Sequence, residues 1–259
     1  MCWRPKIFTE PADFRLISAS INDYPGTASD LRGCNNDGRL AKETVLGYWP
    51  TASTHRLIDS QATIQAFTNS TTQAISLMKP EGVICVLADS CFSGDISKFM
   101  GIVSPVDYNK PRFYPTPGVT PQPNYALFKK EERPLRWITI GGCGKVGYSA
   151  DAYINGDYQG AFTYFAMKVL RPWMTYRQWY AAIRQYLPSD QFDQIPTLSG
   201  PSYLLDQEIG RNQTLWIHNS SHGTQLNGTL GDSVDEAICL HNGNLRDKAY
   251  YDILNKLAA

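Results

Sequence analysis

One stretch stands out in the pattern of apolar and polar positions. Val83, Ile84, Cys85, Val86, Leu87 and Ala88 run without a polar break, with β-branching at Val83, Ile84 and Val86. So short an apolar run reads as a strand buried on both faces, the usual state in a parallel sheet. It passes into the polar turn Asp89-Ser90-Cys91-Phe92-Ser93-Gly94. Upstream, residues 14–21 read as the first strand, broken at Pro25-Gly26. Residues 31–37 lead into a helix ending near Leu46, and a short strand follows near 55–58. A second helix is expected over about 60–78, with Ile64, Phe67, Thr71, Ile75 and Met78 on one stripe.

Downstream the pattern is less regular. Residues 97–133 are rich in Pro, Tyr and Lys without a sustained period, which reads as a long loop. Residues 135–143 form another strand, 148–158 a polar loop and 161–170 a helix. Thr175-Tyr176-Arg177-Gln178 has the form of a capping box. It opens a helix to about Leu187, with Tyr176, Trp179, Ile183 and Tyr186 facing inward. Residues 201–205 read as an edge strand. Residues 214–218 read as a strand running into the polar turn Asn219-Ser220-Ser221-His222-Gly223-Thr224-Gln225. An acidic, Gly-rich loop follows, then a helix from about Asp247 with Tyr250, Ile253, Leu254 and Leu257 on one face. Together these elements and the length of 259 residues predict an α/β protein, as one large domain or two small ones.

Charge and cysteine usage narrow the function classes. Lys plus Arg and Asp plus Glu number 24 each, so the formal net charge is zero. With neither basic excess nor basic run, a nucleic-acid or membrane-surface partner is not expected. No apolar run approaches the ~18 residues of a membrane span. Residues 1–5 lack the apolar centre of a signal peptide. Cys2, Cys34, Cys85, Cys91, Cys143 and Cys239 are scattered without a CxxC pair. A reducing, cytoplasmic setting without structural zinc is the expectation.

The two polar turns carry the candidate chemistry. Catalytic residues of open α/β sheets gather at the carboxyl ends of parallel strands. Here one such end holds Cys91 and another His222, and neighbouring strands lie ~5 Å apart. Taken singly, Cys91 reads as a small buried hydrophobe and His222 as a structural imidazole. Together they match a thiol nucleophile and the base that activates it. His55, His218 and His241 have no such context and read as structural or surface residues.

These pieces resemble the caspase-like cysteine peptidases, and among them the metacaspases and orthocaspases. The residues that carry the likeness are Ile21-Asn22-Asp23-Tyr24 with Asp30-Leu31-Arg32-Gly33-Cys34-Asn35-Asn36-Asp37, Asp89-Ser90-Cys91-Phe92-Ser93-Gly94, Ser149-Ala150-Asp151-Ala152 with Gly160-Ala161-Phe162-Thr163-Tyr164, and Ser220-Ser221-His222-Gly223. In that family the His block precedes the Cys strand, whereas here it stands at the C-terminus. The organisation that the resemblance implies is a single peptidase domain over 1–259, a caspase-like α/β/α sandwich around a mostly parallel sheet of about six strands whose order in sequence is rearranged. It divides into a first block (1–79), a Cys block with a C-terminal subdomain (80–209) and a transposed His block (210–259). A monomer is expected, with docking of the transposed block onto a neighbouring chain as the alternative.

The resemblance implies a Cys91–His222 dyad, with the backbone N–H groups of Gly223 and Cys91 as the oxyanion hole. It places Asp37 and Asp89 on the floor of the first substrate pocket, with Cys34 and Ser220 beside them. Carboxylates there suit protein or peptide substrates with Arg or Lys before the cut. Animal caspases, which cut after Asp, use arginines instead, and Arg32 keeps that alternative open. Asp37 also reads as a first-turn helix acid. Many metacaspases need calcium, and Asp235 and Asp247 fall in the corresponding regions. Arg246, Lys248 and Lys98 stand where acids are usual, which weakens such a site, so no cofactor is expected to be required. Self-processing in the 97–133 loop, at one of Lys98, Lys110, Arg112, Lys129, Lys130 or Arg133, is implied as well. The competing class is a caspase-like scaffold or interaction module without turnover.

Overall fold

The computed structural model describes residues 13–25, 29–90, 109–114, 116–119, 136–143, 149–227 and 234–255. Among the described residues the first half holds β1 (Phe14–Ser20), α1 (Cys34–Tyr48), β2 (Ser53–Ile58), α2 (Ile64–Ser76), β3 (Val83–Asp89), β4 (Asn109–Pro111), β5 (Ile138–Gly141), β6 (Ala150–Ile154) and β7 (Asp157–Gly160). The second half contains α3 (Ala161–Val169), α4 (Tyr176–Ile183), β8 (Thr197–Ser199), α5 (Ser202–Leu205), β9 (Thr214–Ser220), β10 (Gly223–Asn227), β11 (Val234–Leu240), β12 (Gly243–Arg246) and α6 (Asp247–Asn255).

The central sheet has the order β2-β1-β9-β3-β5-β8. All its pairings are parallel except that of β8 with β5. The protein is therefore α/β, with a mostly parallel six-stranded sheet. The last strand of this sheet in chain order, β9, does not add to an edge. It inserts between β1 and β3, where the Thr214 N–H donates to the Asp13 carbonyl and the Val83 N–H to the Gln213 carbonyl.

Alternation along the central strands feeds two cores. Ile84, Val86 and Ala88 of β3 and Leu215 and Ile217 of β9 face one side, with Phe67 and Ile75 of α2 and Tyr250, Ile253 and Leu254 of α6. Val83, Cys85, Leu87 and Trp216 face the other, with Ala41 and Val45 of α1, Phe162 and Ala166 of α3 and Trp179 of α4. Burial on both faces explains why β3 shows no polar alternation.

Several local expectations need correction. The stretch expected as a polar loop at 148–158 contains the hairpin β6–β7. Its two-residue turn is Asn155-Gly156, both at positive φ (53° and 92°). Asn-Gly is the strongest short hairpin signal, and two chain-reversing residues suffice where a loop was expected. The expected edge strand at 201–205 is the short helix α5, and the antiparallel edge strand lies just before it as β8. Pro201 at its N-terminal boundary has φ −65°, a geometry suited to entering a helix, and proline offers no N–H to a ladder. The acidic, Gly-rich stretch holds β11 and β12, which with β10 form a second sheet. The second helix begins at Ile64, because Thr63 caps it by accepting from the Ala66 N–H (3.1 Å), with a 3-10 turn at Asp59–Gln61 before it. The capping box at Thr175 and Gln178 forms as expected, but Tyr186 is 39% exposed rather than inward. Leu257 and most of 97–133 lie outside the described residues.

Trp216 ties the inserted strand to its surroundings. It stacks on Trp179 (4.9 Å, 6° between ring planes) and meets Phe14 edge-on (5.1 Å). Truncating so large a buried ring forfeits both hydrophobic transfer and packing. Trp216→Ala should lower unfolding stability by about 3–5 kcal/mol, measured by urea denaturation. A loss under about 1 kcal/mol would show that β9 does not depend on this cluster.

Candidate functional site

The register of the sheet aligns the two candidate turns. Asp89, the last residue of β3, pairs with Ser220, the last residue of β9. Cys91 and His222 each follow two positions later in the sequence. Cys91 itself lies outside the described residues, which reach Ser90.

His222 sits at the corner between β9 and β10 and is 1% exposed. Its backbone N–H donates to the Tyr24 hydroxyl (2.8 Å), and its ring lies 4.8 Å from that of Tyr24. Its Nε2 lies 2.5 Å from the Ser29 carbonyl oxygen. A carbonyl cannot donate, so Nε2 carries the proton, and in the neutral ring Nδ1 is the acceptor. The imidazole is thus held in a tautomer whose Nδ1 can act as a base.

The acids assemble at the same sheet edge. Asp37 stands in the first turn of α1, wholly buried, where the Asp37 N–H donates to the Gly33 carbonyl (2.9 Å). Its carboxylate accepts from the Gly160 N–H (2.8 Å), the Ser220 hydroxyl (2.7 Å) and the Arg112 guanidinium (2.7 Å). Asp89 accepts from the Thr163 N–H (2.9 Å), the Thr163 hydroxyl (2.6 Å) and the Ser149 hydroxyl. Cys34 is buried beside them, and burial pushes its thiol well up. The structure thus brings Cys34, Asp37, Asp89 and Ser220 together.

What sequence reasoning missed is the occupant. Arg112, one basic residue among several in the long loop, is 0% exposed and fills the space between the acids. One guanidinium nitrogen donates to Asp37 (2.7 Å) and to Asp151 (3.0 Å). The other donates to the Ser220 hydroxyl (2.7 Å) and the Asp89 carbonyl oxygen (3.2 Å), and lies 3.3 Å from the Asp89 carboxylate. Asp151 is thus a third acid of the cluster around Arg112. It also accepts from the backbone N–H groups of Arg32 (2.7 Å) and Gly33 (2.8 Å). The Arg32 guanidinium, by contrast, lies on Tyr158, whose hydroxyl it meets at 2.8 Å. Gly160 makes the cavity possible: a Cβ there would strike Asp89, Arg112 and Asp37 together.

The backbone of Arg112 is held too. Its N–H donates to the Ser149 carbonyl (3.0 Å), and its carbonyl oxygen accepts from the Gly223 N–H (2.8 Å). Before it, β4 pairs antiparallel with β6, and after it the Tyr114 N–H donates to the Gly223 carbonyl (2.9 Å). No single-residue pattern in the sequence distinguishes Arg112 from its basic neighbours, because the choice is made by distance in space.

Buried charge shapes the electrostatics. Burial pushes the Asp37 carboxyl up to about 7, against the Arg112 guanidinium and the Ser220 hydroxyl. The Arg112 guanidinium is held well above its ordinary value: burial works against its charge, but Asp89, Cys34, Asp37 and Asp151 outweigh it. His218, wholly buried in β9, shares hydrogen bonds with the hydroxyls of Ser18 (2.9 Å) and Thr163 (3.2 Å). Burial lowers it to about 4.

The calcium candidates do not fit a hard cation. Both carboxylate oxygens of Asp235 are engaged, one by Arg246 (2.6 Å) and one by Lys248 (2.8 Å), while Asp247 accepts from the Lys248 N–H (2.7 Å). Two cationic side chains already fill the role of the metal. Among the described residues there is no group of three or more His, Cys, Asp or Glu able to hold a metal ion, and no helix is long and apolar enough to cross a membrane.

No protein-family model matches the sequence, and no curated protein matches it.

His218 makes stability depend on pH. Its folded value of about 4 lies below the ordinary 6.5. The unfolded chain therefore takes up this proton first as pH falls. The stability His218 contributes is present above about 6.5 and is lost toward pH 4, by about 3 kcal/mol in full. Asp37 runs oppositely: its folded value of about 7 lies above 3.8, so its contribution is full at low pH and lost as pH rises toward 7. His218→Asn should flatten the acid limb of a plot of Tm against pH between 6.5 and 4. Unchanged steepness would assign that limb to other groups.

Proposed function

We propose that the protein is a caspase-like cysteine endopeptidase of the metacaspase type, hydrolysing peptide bonds after Arg or Lys. One observation carries this reading. The chain's own Arg112 has its guanidinium among Asp37, Asp89 and Asp151 while its carbonyl oxygen accepts from the Gly223 N–H. A residue before a scissile bond would need both contacts, one for recognition and one for the developing oxyanion.

In the proposed mechanism the Cys91 thiol passes its proton to Nδ1 of His222, and the thiolate attacks the carbonyl carbon of the bound Arg itself. The N–H groups of Gly223 and Cys91 steady the tetrahedral oxyanion. On collapse the C–N bond breaks, His222 returns its proton to the leaving amine, and a thioester remains. Water, deprotonated by the same imidazole, hydrolyses the thioester and regenerates the thiol. The planar fork of Arg meets acceptors on both nitrogens, whereas the point charge of Lys reaches fewer of them, so Arg should be preferred. The segment that carries Arg112 covers the groove, and the bond between Arg112 and Phe113 is the proposed site of self-processing.

The competing reading is a scaffold without turnover, in which Arg112 is a permanent counter-ion for three buried acids. Its complete burial gives that reading weight. Fluorogenic peptides ending in Arg, Lys or Asp separate the two. The expected outcome is cleavage after Arg, more slowly after Lys and not after Asp, with losses of at least 1,000-fold in Cys91→Ala and His222→Ala. The parent chain should also appear as two pieces meeting between Arg112 and Phe113, while Cys91→Ala stays whole. No cleavage of any peptide would leave the scaffold.

A further inference from the structure

The residues that follow Arg112 occupy a strip that the dyad and the acid pocket do not explain. Phe113 forms a parallel bridge with Gly223, and the Tyr114 N–H donates to the Gly223 carbonyl (2.9 Å). The Thr224 hydroxyl lies 2.6 Å from the Tyr114 carbonyl oxygen, and further on the hydroxyls of Thr116 and Thr224 meet at 2.8 Å. The chain thus runs along the side of β10 opposite its partner β11, as a strand adds to a sheet edge.

The side chain of Tyr114 has a wall of its own. Its ring stacks on Tyr24 (6.4 Å, 27° between planes) and lies 6.1 Å from the ring of His222. Tyr24 is 6% exposed and fixed in place: its hydroxyl accepts from the His222 N–H and reaches the Cys239 carbonyl at 3.4 Å. A preorganised aromatic face beside two backbone hydrogen bonds selects one position of a bound peptide.

We infer that Tyr24, Gly223 and Thr224 form a subsite for the substrate downstream of the cut. It takes an aromatic residue at the second position after the scissile bond, with the peptide parallel to β10. This rests on the peptidase reading. The subsite adds a second determinant to cleavage after Arg: the sequence Arg-Xaa-Tyr or Arg-Xaa-Phe is favoured over Arg-Xaa-Ala. It also accounts for the seating of Arg112 among the acids, since Tyr114 follows it at that spacing.

The test uses the full chain carrying Arg112→Glu and Tyr114→Ser, which removes the two side chains by which the resident segment holds the groove. Quenched-fluorescence peptides identical up to Arg carry Tyr, Phe, Leu or Ala at the second position after the cut. A matching pair, Tyr and Ala, carries a reduced, uncleavable bond after Arg and is titrated by calorimetry. Tyr and Phe peptides should be cleaved with kcat/KM about three- to tenfold above Ala, and Tyr24→Leu should bring that ratio near one. Equal cleavage of all peptides would overturn the subsite and leave the peptidase. No cleavage but tighter binding of the uncleavable Tyr peptide would leave the subsite and overturn the peptidase. No cleavage and no difference in binding would overturn both. If the double variant fails to fold by circular dichroism, the same series on Tyr114→Ser alone decides.

Discussion

The structure depends on how one buried guanidinium is balanced. Arg112 and the three carboxylates around it are all withdrawn from water, and desolvation of that many charges is costly unless each is paired and hydrogen-bonded. The protein meets the requirement with donors from several elements: Gly160 and Ser220 on Asp37, Thr163 and Ser149 on Asp89, and the backbone of Arg32 and Gly33 on Asp151. Negative charge still exceeds positive by two when all are ionised. Burial already pushes Asp37 up to about 7 with Arg112 in place, and withdrawing the guanidinium leaves that push without its main opponent. A cavity of this kind must hold a cation or take up protons. That demand links the fold to the proposed activity, because the same acids accept a guanidinium whichever chain supplies it.

The position of β9 is the second constraint. Chain order and sheet order part company here: the last strand of the central sheet to be made lies between the first and the third. The antiparallel run of β8 allows this by returning the chain toward the end where β9 starts. Once inserted, β9 contributes to both cores and supplies Ser220, the paired neighbour of Asp89. Burial on both faces and hydrogen bonds to both neighbours leave the strand no other register that keeps Trp216 on Trp179 and Ile217 on the opposite side.

His222 and Tyr24 show how the corner after β9 is set. The Ser29 carbonyl fixes the protonated nitrogen, and Tyr24 receives the backbone N–H of the same residue. For the proposed base, tautomer and orientation are thereby fixed in advance of a substrate. Both partners come from the segment after β1, so the first block of the chain positions a residue from the last.

The long strands, α1, the capped helix at Thr175 and the pairing of two turn-bearing strands were all legible in the sequence. So was the gathering of Cys34, Asp37, Asp89 and Ser220, which the resemblance of their segments to one family's motifs implies. The hairpin at Asn155-Gly156 carries its own signal in that dipeptide, although its strands span only five and four residues. Other features carried no local mark. Arg112 looks like any loop arginine, Asp151 like any strand-edge acid, and the sheet of β10, β11 and β12 like an acidic linker. Periodicity and turn chemistry act between residues close in sequence, so the sequence by itself determined which segments become strands and helices. Which arginine three distant carboxylates enclose, and which strand lies beside β3, depend on charge and packing between segments far apart in sequence. Only the tertiary structure decided them.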